Sequence, residues 1–443
     1  MSRREKLLKY FSEQKAENDV LTREGIEKFR KGTADITIEC DGALPDDITV
    51  CAEQKTHEFR FGANIFMLDE FETEEKNIIY RKKFPELFNL ATVPFYWNTL
   101  EPVEGKPRYE KNSPKIYRRP SPDLCVEYCR ENGIEPKCHC LNYDSQTPEW
   151  LAGMSVTEIK EKLEKRFSEI ASRYKDVIPS FEVTNETLQY THKTPFFNED
   201  DFLEWSYLTA DKYFPENRLI INDYNVWDPT ANHTRNYYYM QIERLLRTVP
   251  HLDSIGFQFH SMFTPEDEEK IAAERYNPQK LRTLMNLFAR FGKAEQITEM
   301  TIPAHGSSAE EEDLQAEVLT NVYKIFFSHP AMEAIIYWNL ADGYGYVPGD
   351  TSRGRIGDMT CGENVYYGGL LRFDMSEKPA YKALKNLINS EWHTSLRGKA
   401  EGGRFSFRGF FGDYDVTVFA DNKAVKKTVS LSKNGTGNFK IKI

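Results

Sequence analysis

Short apolar runs alternate with longer amphipathic segments along most of the chain. Eight of the runs have the length and apolar content of buried strands, and the segments between them repeat apolar residues at helical spacing. The eight predicted strands cover residues 61–66, 90–96, 136–142, 180–183, 219–223, 254–259, 296–300 and 334–338. A strand followed by a helix, repeated eight times, predicts an α/β fold in which a parallel sheet closes into a (β/α)8 (TIM) barrel.

The two ends of the chain follow a different pattern. Residues 1–30 are amphipathic with helical spacing, and residues 34–64 then alternate apolar and polar positions around a turn at Asp41-Gly42. Alternation returns at 405–407, 414–419 and 439–443. We therefore predict a helix and β-element at 1–58, the barrel at 59–394 and a β-appendage at 395–443. The two terminal segments are expected to form one small β-rich element.

Composition limits the classes of protein that this chain can represent. The 443 residues are 40% hydrophobic and 29% charged, which is typical of a globular domain. A net charge of −11 argues against a nucleic-acid partner, because phosphate binding needs a basic surface. Since the sequence also has no apolar run of roughly 18 residues, we expect no membrane span. The oligomeric state is left open.

Cysteine usage and the first residues bear on location. The basic residues Arg3 and Arg4 are not followed by an apolar segment, so the sequence lacks a secretory signal and predicts a cytoplasmic protein, or a secreted one whose signal has been removed. The odd count of seven cysteines favours the cytoplasm. Four of them lie close together in sequence and would suit either a zinc site or, as we favour, buried free thiols. They are Cys125, Cys129, Cys138 and Cys140.

Two glutamates follow predicted barrel strands. Glu186 comes directly after the fourth strand and Glu299 lies at the end of the seventh. In a parallel barrel, side chains at the carboxyl ends of strands face the active site. Paired carboxylates there suit a retaining glycosidase, in which one carboxyl group stays protonated and the other is ionised.

A set of short motifs strengthens this interpretation, because together they resemble glycoside hydrolase family 10, the xylanases. The motifs occur in the family's order across most of residues 60–385. They are Phe61-Gly62-Ala63-Asn64, Trp97 with Glu101-Pro102 and Gly105, His139-Cys140-Leu141 with Ser145-Gln146-Thr147-Pro148 and Trp150, Val183-Thr184-Asn185-Glu186, Ile221-Asn222-Asp223-Tyr224-Asn225, Ile255-Gly256-Phe257-Gln258-Phe259-His260, Thr298-Glu299-Met300, Tyr337-Trp338 and Lys378-Pro379-Ala380-Tyr381.

The resemblance implies a role for each matching residue. Glu186 would be the general acid/base and Glu299 the nucleophile. The implied substrate-binding residues include Asn185 at the sugar 2-hydroxyl, His139 in the −1 subsite, Gln258 and His260 holding the nucleophile and the leaving-group side, and Trp338 as an apolar wall, together with Trp97, Tyr143 and Tyr346. No metal and no cofactor is expected, since two carboxylates supply both proton and nucleophile.

The chain departs from the family pattern in the region that binds the glycone. Family members carry a Glu-Asn pair and a lysine before the tryptophan of strand two. Here the segment is Thr92-Val93-Pro94-Phe95-Tyr96-Trp97, which is two residues shorter and uncharged. We therefore expect weak activity on linear xylan.

Three further departures involve fewer residues. Asn142-Tyr143-Asp144 stands where the family usually has a tryptophan and a histidine, and Tyr346 replaces a second tryptophan near the floor of the site. Thr301 replaces an aspartate that supports the histidine beside the nucleophile. Without that charge, His260 should be neutral over more of the pH range.

The sequence thus predicts a retaining β-glycoside hydrolase that acts on xylan-type or related β-linked plant glycans, oligosaccharides or small glycosides. Its partner would be a carbohydrate. The alternative is a non-catalytic carbohydrate-binding protein on a glycosidase scaffold, which the presence of both glutamates disfavours.

Overall fold

The fold is described from a computed structural model. It describes residues 1–188, 192–224, 226–227, 236–347, 353–421 and 423–443, so Asn225 of the fifth-strand motif lies outside the described residues. Eight parallel strands form a closed barrel, because the last of them pairs with the first through Ala334 and Arg60. In chain order they are β3 (Arg60–Asn64), β4 (Leu90–Pro94), β5 (Glu135–His139), β6 (Ser180–Asn185), β7 (Arg218–Asp223), β8 (Ser254–His260), β9 (Ala294–Thr301) and β10 (Met332–Tyr337). All eight predicted barrel strands are confirmed.

Helices surround the barrel and bury their apolar faces on it. In α6 (Val156–Tyr174), Ser155 and Glu158 form a capping box that satisfies free N–H groups at the helix start. Apolar residues at helical spacing, from Ile159 to Ile170, then face the strands. The other helices are α1 (Arg3–Glu13), α2 (Lys15–Phe29), α3 (Glu74–Lys83), α4 (Trp97–Leu100), α5 (Pro122–Asn132), α7 (Phe202–Tyr213), α8 (Tyr237–Thr248), α9 (Pro265–Arg275), α10 (Pro278–Phe288), α11 (Ala309–Ser328) and α12 (Pro379–Asn386).

Both ends of the chain build a second, smaller β-structure with its own hydrophobic core. One sheet has the order β12-β1-β15 and the other β11-β2-β13-β14. The strands are β1 (Lys31–Glu39), β2 (Thr49–Gln54), β11 (Ser395–Lys399), β12 (Arg404–Phe410), β13 (Gly412–Ala420), β14 (Lys423–Leu431) and β15 (Asn438–Lys442). Ile36, Val50 and Val416 are among the side chains buried between the sheets. The predicted β-rich element from the two terminal segments is confirmed, and the boundaries at residues 58 and 394 stay predictions.

Contacts behind the barrel join the two structures. Arg30 donates hydrogen bonds to the carbonyl oxygens of Phe327 (2.5 Å) and Met332 (2.7 Å). Trp392 stacks on Phe327, with ring centroids 4.0 Å apart. The small β-structure therefore does not cover the end of the barrel at which the strands have their carboxyl termini, and an active site can form there.

The four clustered cysteines are buried free thiols on α5, on β5 and just after it. Burial raises the pKa of Cys129 to about 12.

Within the part of the chain that the structure describes, no group of three or more His, Cys, Asp or Glu side chains could hold a metal ion. No helix of the described residues is long and apolar enough to cross a membrane.

Candidate active site

Two carboxylates stand at the carboxyl-terminal mouth of the barrel. Glu299 lies within β9 and is 5% exposed, whereas Glu186 directly follows β6 and is half-buried. The backbone of Glu186 has φ of 51°, a left-handed conformation that costs a non-glycine residue of order 1–3 kcal/mol. Its N–H is bonded to the carbonyl oxygen of Asn222 (3.1 Å). The neighbouring strand thus helps to hold the chain in the bend that presents Glu186 to the mouth.

Three amide side chains connect the two carboxylates. Gln258 Nε2 donates to Glu186 Oε1 (3.0 Å) and to Asn185 Oδ1 (3.3 Å). Asn222 Nδ2 donates to the same Asn185 oxygen (2.8 Å) and to Glu299 Oε1 (3.1 Å). The oxygen of Asn185 accepts both bonds, and within the described part of the chain no residue accepts from its N–H donors, which can therefore serve a ligand.

Histidines flank Glu299. His260 Nε2 lies 3.1 Å from Glu299 Oε2, and His139 Nε2 lies 4.0 Å from Glu299 Oε1. Burial, helped by the nearby charges of Glu182 and Glu186, raises the pKa of Glu299 to about 8 against the opposing charge of His139. Glu299 therefore gains its negative charge only as the pH approaches 8.

A buried polar network lies beneath His139. Glu182 pairs with Lys137 on one side and with His139 Nδ1 on the other, and all three side chains are 0–1% exposed. Burial would raise the pKa of Glu182, but the charges of Lys137 and His139 hold it at about 2. Burial would likewise lower the pKa of His139, but Glu182 outweighs it and the pKa is raised. The network thus places the His139 imidazole close to Glu299 and favours its charged form.

His260 has a different partner. Its Nδ1 lies 2.9 Å from the hydroxyl of Thr301, while its Nε2 faces Glu299. Burial lowers the pKa of His260 to about 4, although the charges of Glu363 and Glu186 act to raise it. A neutral ring that donates from Nε2 to the carboxylate must accept at Nδ1, so the threonine hydroxyl donates to it. This agrees with the neutral His260 expected from the sequence.

Glu186 receives one further donor, the hydroxyl of Tyr143, at Oε2. Tyr143 follows β5, so its ring reaches across from the strand next to β6. Burial and the negative charge of Glu186 raise the pKa of Tyr143, which keeps the phenol protonated and able to donate.

Aromatic rings form one wall of the mouth. Phe66, Tyr96 and Trp338 follow β3, β4 and β10 and pack together, with Phe66 at 5.8 Å from Tyr96 and 5.1 Å from Trp338 between ring centroids. Trp338 also meets the rings of His139 (5.6 Å) and His260 (6.1 Å). The hydroxyl of Tyr96 is 2.9 Å from His139 Nε2. We name this group the aromatic wall.

The structure brings most of the predicted site residues together. Those that contact Glu186 or Glu299, directly or through one intermediate, are His139, Tyr143, Asn185, Gln258, His260 and Trp338. Tyr346 lies further out, is 38% exposed, and its backbone N–H donates to Glu363 Oε2 (2.8 Å).

Trp97 is placed elsewhere. Its indole N–H donates to Glu101 Oε2 (2.9 Å), and its ring packs edge-on against Trp150 in the main hydrophobic core, where it is 4% exposed. We therefore correct the sequence prediction for this residue and assign Trp97 a structural role, holding the first turn after β4.

Four residues of the site were absent from the prediction. Asn222, Glu182 and Lys137 are inward-facing polar residues on β7, β6 and β5, and a polar side chain inside a predicted barrel strand is the signal that could have found them. Tyr96 was noted only as filling space. Its bond to His139 depends on a contact between strands that no local pattern encodes.

A closed barrel with two carboxylates at its mouth, joined by amides and flanked by histidines, is the arrangement of a glycoside hydrolase. Residues 86–387 match the model of "Glycosyl hydrolase family 10", which is about two thirds of the chain. The protein belongs to that family.

Individual relatives are distant. The chain is 26% identical over 346 residues to endo-1,4-beta-xylanase B of Thermotoga neapolitana, covering 75% of this chain and 88% of that protein. It is 23% identical to the anti-sigma-I factor RsgI6 of Acetivibrio thermocellus, over 94% of this chain but 48% of that protein. Xylanase 10B of Thermotoga petrophila RKU-1, solved with xylobiose, has the same fold with a TM-score of 0.59 and 24% identity, over 75% of this chain and 95% of that one.

Proposed function

We propose that this chain is a retaining β-glycoside hydrolase in which Glu299 is the nucleophile and Glu186 the general acid/base. The observation that carries the proposal is the pair itself, since both carboxylates stand at one barrel mouth and are connected through Gln258, Asn185 and Asn222.

The reaction proceeds by two displacements. Glu299 attacks the anomeric carbon and forms a glycosyl–enzyme ester, while Glu186 gives its proton to the glycosidic oxygen as the C–O bond breaks. In the second step Glu186 takes a proton from water, the water oxygen bonds to the anomeric carbon, and Glu299 leaves as a carboxylate. Each carboxylate returns to its starting form.

The surrounding donors act on these two groups. Asn222 and His260 donate to Glu299 at 3.1 Å each, which fixes the direction of attack and stabilises the carboxylate when it is released. Tyr143 and Gln258 hold Glu186 from two sides. The uncommitted N–H donors of Asn185 are available to the sugar 2-hydroxyl.

For the substrate we propose a xylan-type or related β-linked glycan, oligosaccharide or glycoside. The relatives named xylanases support this class. The Val93-Pro94-Phe95-Tyr96 segment is uncharged, which supports weak binding of linear xylan. Hydrogen bonds that are not formed to the glycone cannot contribute binding energy to the transition state.

The catalytic pair is tested by two substitutions. Glu299→Ala should abolish turnover of every substrate. Glu186→Ala should retain activity on aryl glycosides with good leaving groups, which need little proton assistance, and added azide should raise its rate and give a β-glycosyl azide.

Glu363→Ala provides the matched control, because this carboxylate is held by Asn339, Tyr346 and Arg118 and takes no part in the proposed reaction, so the variant should leave some turnover. Full activity in Glu299→Ala would overturn the assignment. Absence of any turnover by the unaltered chain, with retained sugar binding, would favour the non-catalytic alternative.

The substrate class is tested by a hydrolysis screen. Aryl β-xyloside, aryl β-glucoside, aryl β-cellobioside and xylo-oligosaccharides should be compared, with products separated by chromatography. We expect linear xylan to be a weaker substrate than another member of the set. A kcat/KM on xylan at or above about 10⁴ M⁻¹s⁻¹ would contradict this expectation.

We also propose that the protein acts in the cytoplasm on short substrates. Its seven cysteines are all free thiols, which suits a reducing compartment. Fractionation of the native cells with an antibody to the chain tests this, and recovery only from the medium would refute it.

A further inference from the structure

Two adjacent arginines end the segment that leads from α4 to α5, on the outer side of the aromatic wall. Arg118 is 4% exposed and has a φ of 60°. Its guanidinium donates to Asn339 Oδ1 (3.0 Å) and to the carbonyl oxygen of Tyr344, and it lies 3.8 Å from Glu363. Arg118 is thus committed to the protein.

Arg119 is not committed in the same way. Its guanidinium lies 4.3 Å from the ring centroid of Tyr96 and 5.4 Å from that of Phe66. Its Nη1 donates to the carbonyl oxygen of Arg118 (2.9 Å), and its Nε has no hydrogen-bond partner. Among the residues that the structure describes, no carboxylate pairs with it. Arg119 is half-buried, so part of the residue is exposed to solvent.

The local charges do not balance. Glu363 is the carboxylate that pairs with Arg118, and it is also held by Asn339 Nδ2 (2.7 Å) and the Tyr346 N–H (2.8 Å). Among the residues that the structure describes here, two guanidinium groups and this one carboxylate leave one positive charge. A partly buried cation without a carboxylate partner is costly, and an anionic ligand would offset that cost.

The position of Arg119 defines which part of a substrate it would meet. Tyr96 separates it from His139, whose Nε2 is 2.9 Å from the Tyr96 hydroxyl and 4.0 Å from Glu299. The aromatic wall follows β10, β3 and β4, of which β10 lies across the barrel from β6, the strand that Glu186 follows, and β4 is two strands away from β6. Since Glu186 protonates the leaving group, the wall faces the sugar that stays on the enzyme and its neighbours on the glycone side.

We infer that Arg119 binds a carboxylate on the glycone part of the substrate, so that the favoured substrates are β-glycans or oligosaccharides bearing a uronic acid. A guanidinium matches a carboxylate with two parallel hydrogen bonds, and Tyr96 holds its plane in place. The inference rests on the proposed function for the location of the glycone side. Residues 92–97 lack the charged residues with which the family binds the glycone. Arg119 would supply a positive charge on this side of the site, and that charge favours an acidic sugar.

The test compares an acidic and a neutral substrate of equal backbone length. The pair is xylotriose carrying a glucuronosyl group on its non-reducing xylose and unsubstituted xylotriose. We expect the unaltered chain to favour the acidic one by about 10-fold or more in kcat/KM. Arg119→Gln should lower kcat/KM for the acidic substrate by about 10- to 100-fold, with less than about 3-fold change for the neutral one.

Two controls make the result specific. Arg119→Lys keeps the positive charge but cannot form two parallel hydrogen bonds to a carboxylate. Its kcat/KM for the acidic substrate should therefore lie between the values of the unaltered chain and of Arg119→Gln. Arg23→Gln, at an exposed position on α2, should leave both rates unchanged. Equal values of kcat/KM for the two substrates in the unaltered chain, or equal losses on both in Arg119→Gln, would overturn the inference.

Calorimetric binding of both trisaccharides to Glu299→Ala separates this inference from the proposed function. If the unaltered chain fails to cleave either sugar but Glu299→Ala binds the acidic one more tightly, the proposed function fails and Arg119 keeps its role. If cleavage occurs and the affinities are equal, the proposed function stands and the role of Arg119 is refuted.

Discussion

Replacing Thr301 by aspartate should change the charge of His260 and, through it, the pH dependence of the enzyme. In the structure the Thr301 hydroxyl is 2.9 Å from Nδ1, and the pKa of His260 is about 4. An opposite charge at such a distance shifts a pKa by about 1–3 units, which would place His260 near 5–7. At about pH 6 the charged fraction would rise from roughly 1% to between roughly 10% and 90%.

That charge acts directly on the nucleophile. His260 Nε2 is 3.1 Å from Glu299 Oε2, and the pKa of Glu299 is about 8. An imidazolium there favours the ionised carboxylate, so the pKa of Glu299 should fall. Because the attack needs the carboxylate, the acidic limb of the kcat/KM profile should move to lower pH by about one unit or more.

The assay is kcat/KM against pH with an aryl β-glycoside whose leaving group is good, so that protonation by Glu186 contributes little. Thr301→Asn is the matched control, because asparagine has nearly the shape of aspartate but no charge. This variant should leave the acidic limb of the kcat/KM profile near its original position. If folded, active Thr301→Asp gives the same profile as Thr301→Asn, the reasoning about His260 is wrong.

Three further variants test other parts of the structure. The carboxylate oxygens of Glu295 have no hydrogen-bond partner among the described residues, and Oε2 lies 3.5 Å from His329 Nδ1. Burial raises the pKa of Glu295, so folding favours its protonated form, whereas the unfolded chain favours the ionised form. Stability from this group is present below the unfolded pKa of about 4.5 and is lost as the pH rises through the raised pKa of the folded state. The gain in Tm of Glu295→Gln over the unaltered chain should therefore grow as the pH rises above about 4.5, and a constant difference would contradict this. Tyr143→Phe removes a donor to Glu186 and should lower kcat/KM about 10-fold on poor leaving groups and less on good ones, and equal losses would refute this role. Asn222→Ala removes a donor to the nucleophile Glu299 and should lower kcat/KM about 100-fold on substrates with good and with poor leaving groups. A loss confined to poor leaving groups would mean that Asn222 acts on Glu186 instead.

The barrel could be predicted from sequence because its strands are buried on both faces. Such strands appear as short, nearly continuous apolar runs, and β7 and β10 lie within two residues of their predicted limits. The strands β11 and β14 were missed. Most residues of β14 are exposed or half-buried and four of its nine residues are lysine or serine, since it lies at the edge of its sheet and buries little more than Val429 and Leu431. An edge strand of this kind carries little apolar signal.

The candidate site was predictable to the extent that it lies on the strands. Glu186 and Glu299 follow from strand ends, and the family motifs supply the histidines and Asn185. The pairing of Arg119 with the face of Tyr96 joins an irregular segment to a residue 23 positions earlier in the chain. No hydrophobic period exists in such a segment, so its position is decided by tertiary contacts alone.

The way the small β-structure is assembled has a consequence for synthesis. β1 pairs with β12 and β15, and β2 pairs with β11 and β13, so every partner of the two early strands comes after the whole barrel. β2 ends at Gln54 and β11 begins at Ser395, a gap that a ribosome crosses in roughly 20–70 s at about 5–20 residues per second. During that time the early strands have open edges, which are templates for aggregation. The nascent chain therefore has a period in which a chaperone could bind it before its last strands are made.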